Sequence, residues 1–554
     1  MSRVLAIIPT DVMNGRLGHA RDLSDQIAGM TVLEMTVRRV LSIESLDGVV
    51  LVYPEGQNPL ALLPDDVRER VQVYADPEGL RDRQTARLVA ARKWAVDSWR
   101  GGLGFATGFD ELLPAGPLAR AAETHGAQSV LLVRGDWPLF DTGYARELIE
   151  LHQTSPEHMK VTLTQAPPGL GPLVMSVPFL AEFAEHGGNF GSMLGYNSHS
   201  PAIDPIGREV TVPISPKVRD CRKRLVYDTP RSIERLRVLE RFFGDRLATV
   251  DADRLVEAIA SWERDHPEHL FERLPQQVNL ELTPRRPATG PITPQAYVAF
   301  ERPDLELDLA ERLVDQLGEP GDVSLLLGGL GDAMEHPEWD RVVMAAHEAG
   351  VMGIGIETDL LSSWSEAEKL LDLPLDLVIV RINADSSETY KKVMGQEFGV
   401  VTDNLQRLFN ERRVRRSADG RGDQVPWIVP RLVKVPETLS DMESFFERWL
   451  RAGGYAMIQP SCSGCGLMPE LSPVPMEPPR RVGCKQLGQR MSVLSDGVVA
   501  LCDQDWQGRS PMGDARIDSL LTIWRRGAES KAAHDESRFH ELTICGSCKE
   551  WHRP

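Results

Sequence analysis

Six of the seven cysteines in this chain fall after residue 460. They are Cys462, Cys465, Cys484, Cys502, Cys545 and Cys548; only Cys221 lies elsewhere. A chain of 554 residues does not gather its thiols in its final sixth for packing alone. From Cys484 onward the spacing is Cys-x17-Cys-x42-Cys-x2-Cys. A two-residue gap lets both sulfurs face one metal centre from a single turn. Residues 491–494 and 498–501 read as the strands of a β-hairpin, with Asp496-Gly497 as the turn signal. That hairpin brings Cys484 and Cys502 near one another. Four thiolates hold either a [4Fe–4S] cluster or a structural zinc, and spacing alone does not separate the two. Cys462-Ser463-Gly464-Cys465 completes a second, partial site, replaces a ligand, forms a redox pair, or is incidental.

The compartment decides how such thiols are read. Val4-Leu5-Ala6-Ile7-Ile8-Pro9 is too short for the apolar core of a signal peptide and reads as a buried first strand. A reducing cytoplasm is therefore expected, where clustered cysteines mean metal more often than disulfide. The formal charge of −19 argues against nucleic acid or an anionic membrane as partner. No apolar run approaches the roughly 20 residues that span a bilayer. The length implies about three to four domains.

Residues 1–245 alternate short apolar runs with helical patterns. Runs at 4–8, 49–53, 129–133 and 161–164 read as strands; 31–41 and 145–151 carry apolar residues at helical spacing. Such alternation implies an α/β domain with a mostly parallel sheet, whose ligands sit at the carboxyl ends of strands. Two loops fall there. The first is 11–21, where glycines let backbone amides approach a phosphate and Arg16 and Arg21 supply charge. The second holds Asp136, placed to bind a hard cation such as Mg²⁺. On residues alone, Asp136 reads equally as a turn cap and 11–21 as a solvated loop.

These residues resemble the nucleotidyltransferases that activate sugars, especially cytidylyltransferase-like and spore-coat polysaccharide types. Gly135-Asp136-Trp137-Pro138-Leu139-Phe140-Asp141 matches that family's central segment, Tyr227-Asp228-Thr229-Pro230 its last, and Arg16-Leu17 part of its first. The family's lysine position holds Ala20, and its late acidic position holds Ser232. The resemblance implies a GT-A/Rossmann-like fold, Mg²⁺ on Asp136 and Asp228, and a triphosphate on Arg16 or Arg21.

Residues 246–275 are charged and helical, and read as a linker. Strand–helix alternation restarts across 276–455, with strands expected at 278–282, 323–327, 352–357, 377–382 and 428–433. That repeat suggests a partial (β/α) barrel. It resembles the radical S-adenosylmethionine barrel at Gly328-Gly329-Leu330-Gly331-Asp332, at Ile356-Glu357-Thr358-Asp359, and at Ile382-Asn383-Ala384-Asp385 followed by Glu388-Thr389-Tyr390. That family needs Cys-x3-Cys-x2-Cys after its first strand. Here the stretch is Thr283-Pro284-Arg285-Arg286-Pro287-Ala288-Thr289-Gly290, and no cysteine lies between Cys221 and Cys462. Arginine and proline do not ligate iron, so no radical chemistry is expected.

Residues 456–554 form a small α+β unit with an amphipathic helix expected at 518–525. The stretch from Gly483-Cys484 to Trp551 resembles the SPASM module, matching at Asp496-Gly497-Val498, Cys502, Gly513-Asp514, Ser519-Leu520, Ile523-Trp524, Cys545 and Cys548. This resemblance implies one [4Fe–4S] cluster on Cys484, Cys502, Cys545 and Cys548, with zinc as the alternative and Cys462 and Cys465 as extra ligands. The whole composition resembles spiro-SPASM proteins. That resemblance carries no reaction over to this chain; the function expected from its residues is a cytoplasmic iron–sulfur protein that does not cleave S-adenosylmethionine. Its first domain would bind a nucleotide or sugar nucleotide, and its barrel and SPASM module a substrate or protein partner. The alternatives are a Mg²⁺-dependent cytidylyltransferase-type enzyme for surface-glycan sugars and a zinc-stabilised scaffold.

Overall fold

Strand β1 (Val4–Pro9) has every side chain buried. Burying each Val, Leu or Ile there contributes about 1.5–3 kcal/mol, which fixes this run as the centre of a sheet. The computed structural model describes residues 3–80, 85–101, 103–155, 159–186, 190–193, 208–419, 426–474 and 476–553. The chain is mixed α/β and divides into two compact units, Met1–Asp265 and His266–Pro554.

In the first unit β1 pairs in parallel with β2 (Gly48–Pro54), and β2 with β3 (Gln72–Asp76). On its other side β1 pairs in parallel with β4 (Ser129–Leu132). Strands β5 (Val161–Thr162) and β6 (Leu173–Ser176) complete a six-stranded sheet, with β6 antiparallel to both β4 and β5. Helix Val32–Leu41 starts where Thr31 accepts the Glu34 N–H, and it buries Leu33, Val37 and Val40. Helix Pro230–Phe243 begins at Thr229, whose hydroxyl accepts the Ser232 N–H, with Pro230 in the first turn. Asp-Thr-Pro is thus a helix start, and it leaves Asp228 at the mouth of that helix.

The stretch 246–275, expected as a linker, is divided between two cores. Helix Ala252–Asp265 buries Leu255, Val256 and Ile259 in the first unit, and Asp141 accepts its leading N–H from Ala252 at 2.6 Å. Phe271 belongs to the core of the second unit.

The second unit contains β7 (Gln277–Leu280), β8 (Ser324–Leu327), β9 (Gly353–Thr358), β10 (Leu377–Arg381), β11 (Trp427–Lys434) and β12 (Met457–Pro460). These run parallel in sequence order, with helices such as Leu307–Gly318, Trp339–Glu348 and Met442–Gly453 between them. The expected hairpin follows as β13 (Arg490–Val493) and β14 (Val498–Ala500). Gly497 takes φ +85°, as the Asp-Gly turn requires. Beyond it lies β15 (Pro511–Asp514), antiparallel to β14.

One pairing was not legible in the sequence. β13 adds in parallel to β7, Arg490 opposite Gln277 and Val493 opposite Leu280. The parallel array and the cysteine-bearing segment therefore share one nine-stranded sheet. They also share a core, in which Met491, Val493, Ile523 and Trp524 pack with side chains of the array. Helix Leu520–Asp535 outruns the expected 518–525, because Gly527 does not end it but packs against Phe271.

Candidate functional site

All seven cysteines are free thiols. β14 delivers Cys502 at its end. Helix Leu520–Asp535 supports Cys484, whose N–H donates to His534 Nδ1 at 3.2 Å. Cys545 and Cys548 share a tight turn, in which the Cys548 N–H donates to the Cys545 carbonyl at 3.1 Å. Arg481 braces that turn by donating to the Cys545 carbonyl at 2.6 Å. Leu487, Leu501 and Ile544 pack around Cys545 with Cys465, Cys484 and Cys502, which makes the pocket apolar.

Cys465 was expected only as an extra ligand; the structure sets it among the others. Burial pushes the Cys545 thiol up to about 12, and the neighbouring Cys548, Cys465 and Cys484 add to the shift. Burial likewise takes Cys548 up to about 11; the Glu550 N–H, 3.3 Å from its sulfur, opposes this, while Cys465 and Cys484 add to it. A hydrogen bond with Cys465 pushes the Cys502 thiol well up, with burial acting in the same sense. What places Cys465 here is a run of three left-handed residues: Gly464 (φ +58°), Cys465 (φ +55°) and Gly466 (φ +84°). Such a conformation is strained for cysteine, and strain of this kind concentrates at functional sites. Cys462 is turned toward Glu550 and Asp503 instead. Buried, crowded thiols that resist ionisation need a positive centre to become thiolates, and a bound metal supplies it. Among the described residues, no three His, Cys, Asp or Glu side chains converge closely enough to hold a single metal ion.

The first unit gathers its motif loops at the carboxyl ends of β1 and β4. The Tyr227 N–H donates to the Asp136 carbonyl at 2.8 Å. Gly15 lies so close to Asp228 that a Cβ there would sit 2.9 Å from the aspartate Cβ. Both carboxylates expected to hold Mg²⁺ are held by arginines. Asp136, fully buried, accepts from Arg134 Nε and Nη2 at 2.9 Å and from Arg21 Nη2 at 3.1 Å. Burial opposes its ionisation, but the guanidiniums of Arg134 and Arg21 outweigh that and hold it at about 2. Asp228 accepts from Arg224 Nε at 3.0 Å. Arg224 also donates to Glu111 at 2.6 Å, and Arg92 donates to the other Glu111 oxygen at 2.7 Å. Arg16 and Arg21, expected to meet a triphosphate, are buried too. Arg16 donates to the Leu80 carbonyl and the Thr85 hydroxyl, each at 2.9 Å; besides Asp136, Arg21 donates to the Asp11 carbonyl. A Mg²⁺ at either aspartate must displace a guanidinium.

In the second unit, the segment after β7 carries Arg285 and Arg286. Gly331 packs directly on the Thr283 carbonyl with no room for a Cβ, and the Asp332 N–H donates to the Arg285 carbonyl at 2.8 Å. These contacts join the loops after β7 and β8 and aim Arg286 inward. Arg286 grips Asp359 with Nε and Nη2, both at 2.8 Å, and Arg381 Nε lies 3.0 Å from the same carboxylate. Arg431 donates to Glu357 at 2.7 Å. Asp332 accepts the Asp359 N–H at 2.7 Å; burial and the adjacent Asp359 charge push its carboxyl up to about 6. The sequence signal for this network was the arginine pair in place of thiols. Its carboxylate partners, on other strands, had no local signal.

Residues 484–549 match the SPASM family, an iron–sulfur cluster-binding domain. An uncharacterized protein of Treponema pallidum (strain Nichols) is 27% identical over 300 residues, covering 51% of this chain and 81% of its own. Among solved structures the chain is similar to BtrN in complex with AdoMet and 2-DOIA, at 12% identity over 50% of this chain and 94% of that chain, with a TM-score of 0.36. It is similar to Streptococcus suis SuiB bound to precursor peptide SuiA, at 10% identity over 54% and 77% of the two chains, with a TM-score of 0.39. A cytidylyltransferase from Leptospira borgpetersenii serovar Hardjo-bovis (strain JB197) is similar at 13% identity over 48% of this chain and 96% of its own, with a TM-score of 0.33. The SPASM match implies iron–sulfur cluster binding by the C-terminal segment. Among the described residues, no helix is long and apolar enough to cross a membrane.

Proposed function

We propose that this chain carries one [4Fe–4S] cluster in its C-terminal segment and does not cleave S-adenosylmethionine. The observation that carries the reading is the packing of Cys465, Cys484 and Cys502 with Cys545 in one apolar cluster, and the turn that sets Cys548 beside Cys545. Cys484, Cys545 and Cys548 are the common ligands. The fourth is Cys502, as the spacing suggests, or Cys465, as the strained turn favours. When bound, the cluster supplies electron transfer, a ligand-binding iron or a structural clamp. The protein's part is to bury it, hold its sulfurs and donate the Glu550 N–H to Cys548. The absence of S-adenosylmethionine cleavage rests on residues 283–290, which lack cysteine and place Arg286 in an ion pair with Asp359.

The experiment is anaerobic reconstitution, reduction with dithionite and addition of S-adenosylmethionine. No 5′-deoxyadenosine is expected; its formation in an iron-dependent manner sinks the reading. Comparing Cys465→Ser with Cys502→Ser identifies the fourth ligand as the position whose loss lowers bound iron.

The first unit, on this reading, binds a nucleotide or sugar nucleotide where loops 11–21, 134–141 and 226–230 meet. A Mg²⁺-dependent cytidylyl transfer is the second reading. It is favoured by the pairing of Arg21 and Arg134 with Asp136, because an incoming triphosphate can draw both guanidiniums away and free that carboxylate for the ion. CTP with Mg²⁺ is expected to raise the melting temperature of the first unit. No shift with any nucleoside triphosphate removes both nucleotide readings.

A further inference from the structure

Arg481 stands beside the thiols as a cation without a carboxylate. Its Nη2 donates to the Cys545 carbonyl at 2.6 Å and its Nη1 to the Gly546 carbonyl at 3.2 Å. The guanidinium lies over the Phe539 ring, 4.2 Å from its centroid. Phe539 in turn meets the His534 ring edge-on, centroids 5.0 Å apart, and His534 Nδ1 accepts the Cys484 N–H. Arg481 also lies three residues before Cys484 in the chain. Its charge is therefore fixed between the turn of Cys545 and the loop of Cys484. Cys545 itself packs with Cys465, Cys484 and Cys502.

Other arginines reach the same neighbourhood, but each has a carboxylate. Arg509 donates to the Cys465 carbonyl at 2.7 Å and lies 3.7 Å from Asp505. Arg490 faces Asp503 at 3.5 Å, and Arg553 faces Glu550 at 3.6 Å. Among the described residues, no Asp or Glu lies within salt-bridge reach of Arg481; its guanidinium meets two carbonyls and a ring. His534 adds no second cation, because a nitrogen that accepts the Cys484 N–H is unprotonated. Burial pushes the Cys545 and Cys484 thiols up, and the Arg481 charge works against that in both. Four thiolates around an iron–sulfur core leave it net negative, and an added electron makes it more so. A fixed cation therefore favours the reduced form over the oxidised one, more strongly in an apolar pocket than in water.

We infer that Arg481 is the countercharge of the cluster and raises its reduction potential. This rests on the cluster proposed above. The step it tunes is uptake of one electron by the cluster from a low-potential one-electron donor, dithionite in the test below, with no bond made or broken. Arg481 is a positioning residue here: it acts through its charge on the cluster that Cys545 and Cys484 hold.

The test uses the anaerobically reconstituted full chain. Dithionite is titrated in the presence of redox mediators, reduction is followed by electron paramagnetic resonance and visible absorption, and iron and sulfide are counted in every variant. Arg481→Gln keeps an amide donor for the turn but loses the charge. It should hold as much iron as the wild type and favour the oxidised form about tenfold at a fixed potential, a fall of about 59 mV in the midpoint. Arg481→Lys keeps the charge, and its midpoint should fall by less than half as much. An unchanged midpoint in Arg481→Gln overturns the inference. So does an equal fall in both variants, which would make the hydrogen bonds and not the charge responsible. Loss of iron from Arg481→Gln overturns it too, because Arg481 would then brace the fold and not tune the cluster, and so does a wild-type cluster that dithionite does not reduce. Wild-type protein without iron and sulfide is a separate failure, that of the cluster reading itself, and takes this inference with it.

Discussion

In the first unit Asp136 and Asp228 are wrapped by guanidiniums that also donate to main-chain carbonyls, Arg134 to Glu111 and Arg224 to Val96. In the second unit Arg286, Arg381 and Arg431 line a cleft while their carboxylates stay out of the lining. Both networks use the same two residue types. They differ in which partner is presented. A network that wraps its carboxylates in guanidiniums neutralises them. In the second, the arginine side chains reach the wall of a cleft that their carboxylates do not.

The largest effect is expected from Arg224→Met. It strands Asp228 and leaves Glu111 with Arg92 alone, both carboxylates being almost fully buried, and should cost about 3–5 kcal/mol. Hydrogen exchange at the β1 amides reads the loss. A change below about 1 kcal/mol would show that Arg92 alone carries Glu111 and that the network is less closed than it looks.

Opposite pH dependence is the next expectation. Asp136 is held at about 2, so its contribution is present above its unfolded value near 3.8 and is lost as pH falls through 2. Asp332 is pushed up to about 6, so its contribution is complete below 3.8 and is lost as pH rises through 6. At 1.36 kcal/mol per pH unit each displacement is on the order of 2–3 kcal/mol. The difference in stability-against-pH slope between wild type and Asp332→Asn isolates the second group between pH 4 and 6. If the two slopes coincide there, Asp332 titrates normally and the contrast between the networks weakens.

Arg286→Leu is expected to cost least, about 1–2 kcal/mol in the unfolding of the second unit. Asp359 keeps Arg381 at 3.0 Å. A loss as large as that of Arg224→Met would make the cleft arginines structural, and the comparison would fail.

The elements legible in the sequence were those with local signals. Apolar runs located β1, β2 and β4 and most strands of the parallel array to within a residue or two. Asp496-Gly497 gave the β13–β14 hairpin. The pairing of β13 with β7 joins residues some two hundred positions apart, and a parallel contact at that range leaves no local mark. Asp136 and Asp228 were legible as a pair of carboxylates, but their arginine partners were not, because an ion pair across loops is a tertiary fact. Arg224 lay in a basic run next to Cys221, and Glu111 had no motif at all. Cys465 could not be ranked above Cys462 by spacing. Its left-handed turn, which separates the two by turning one toward the thiols and the other toward Glu550, is visible only in the backbone.

Iron and acid-labile sulfide in the anaerobically purified full chain test the central claim most directly. About four of each per chain are expected, with the broad visible absorption of an iron–sulfur cluster, and loss of both in Cys545→Ser. A colourless protein holding stoichiometric zinc, unaffected by reconstitution with iron and sulfide, would contradict it.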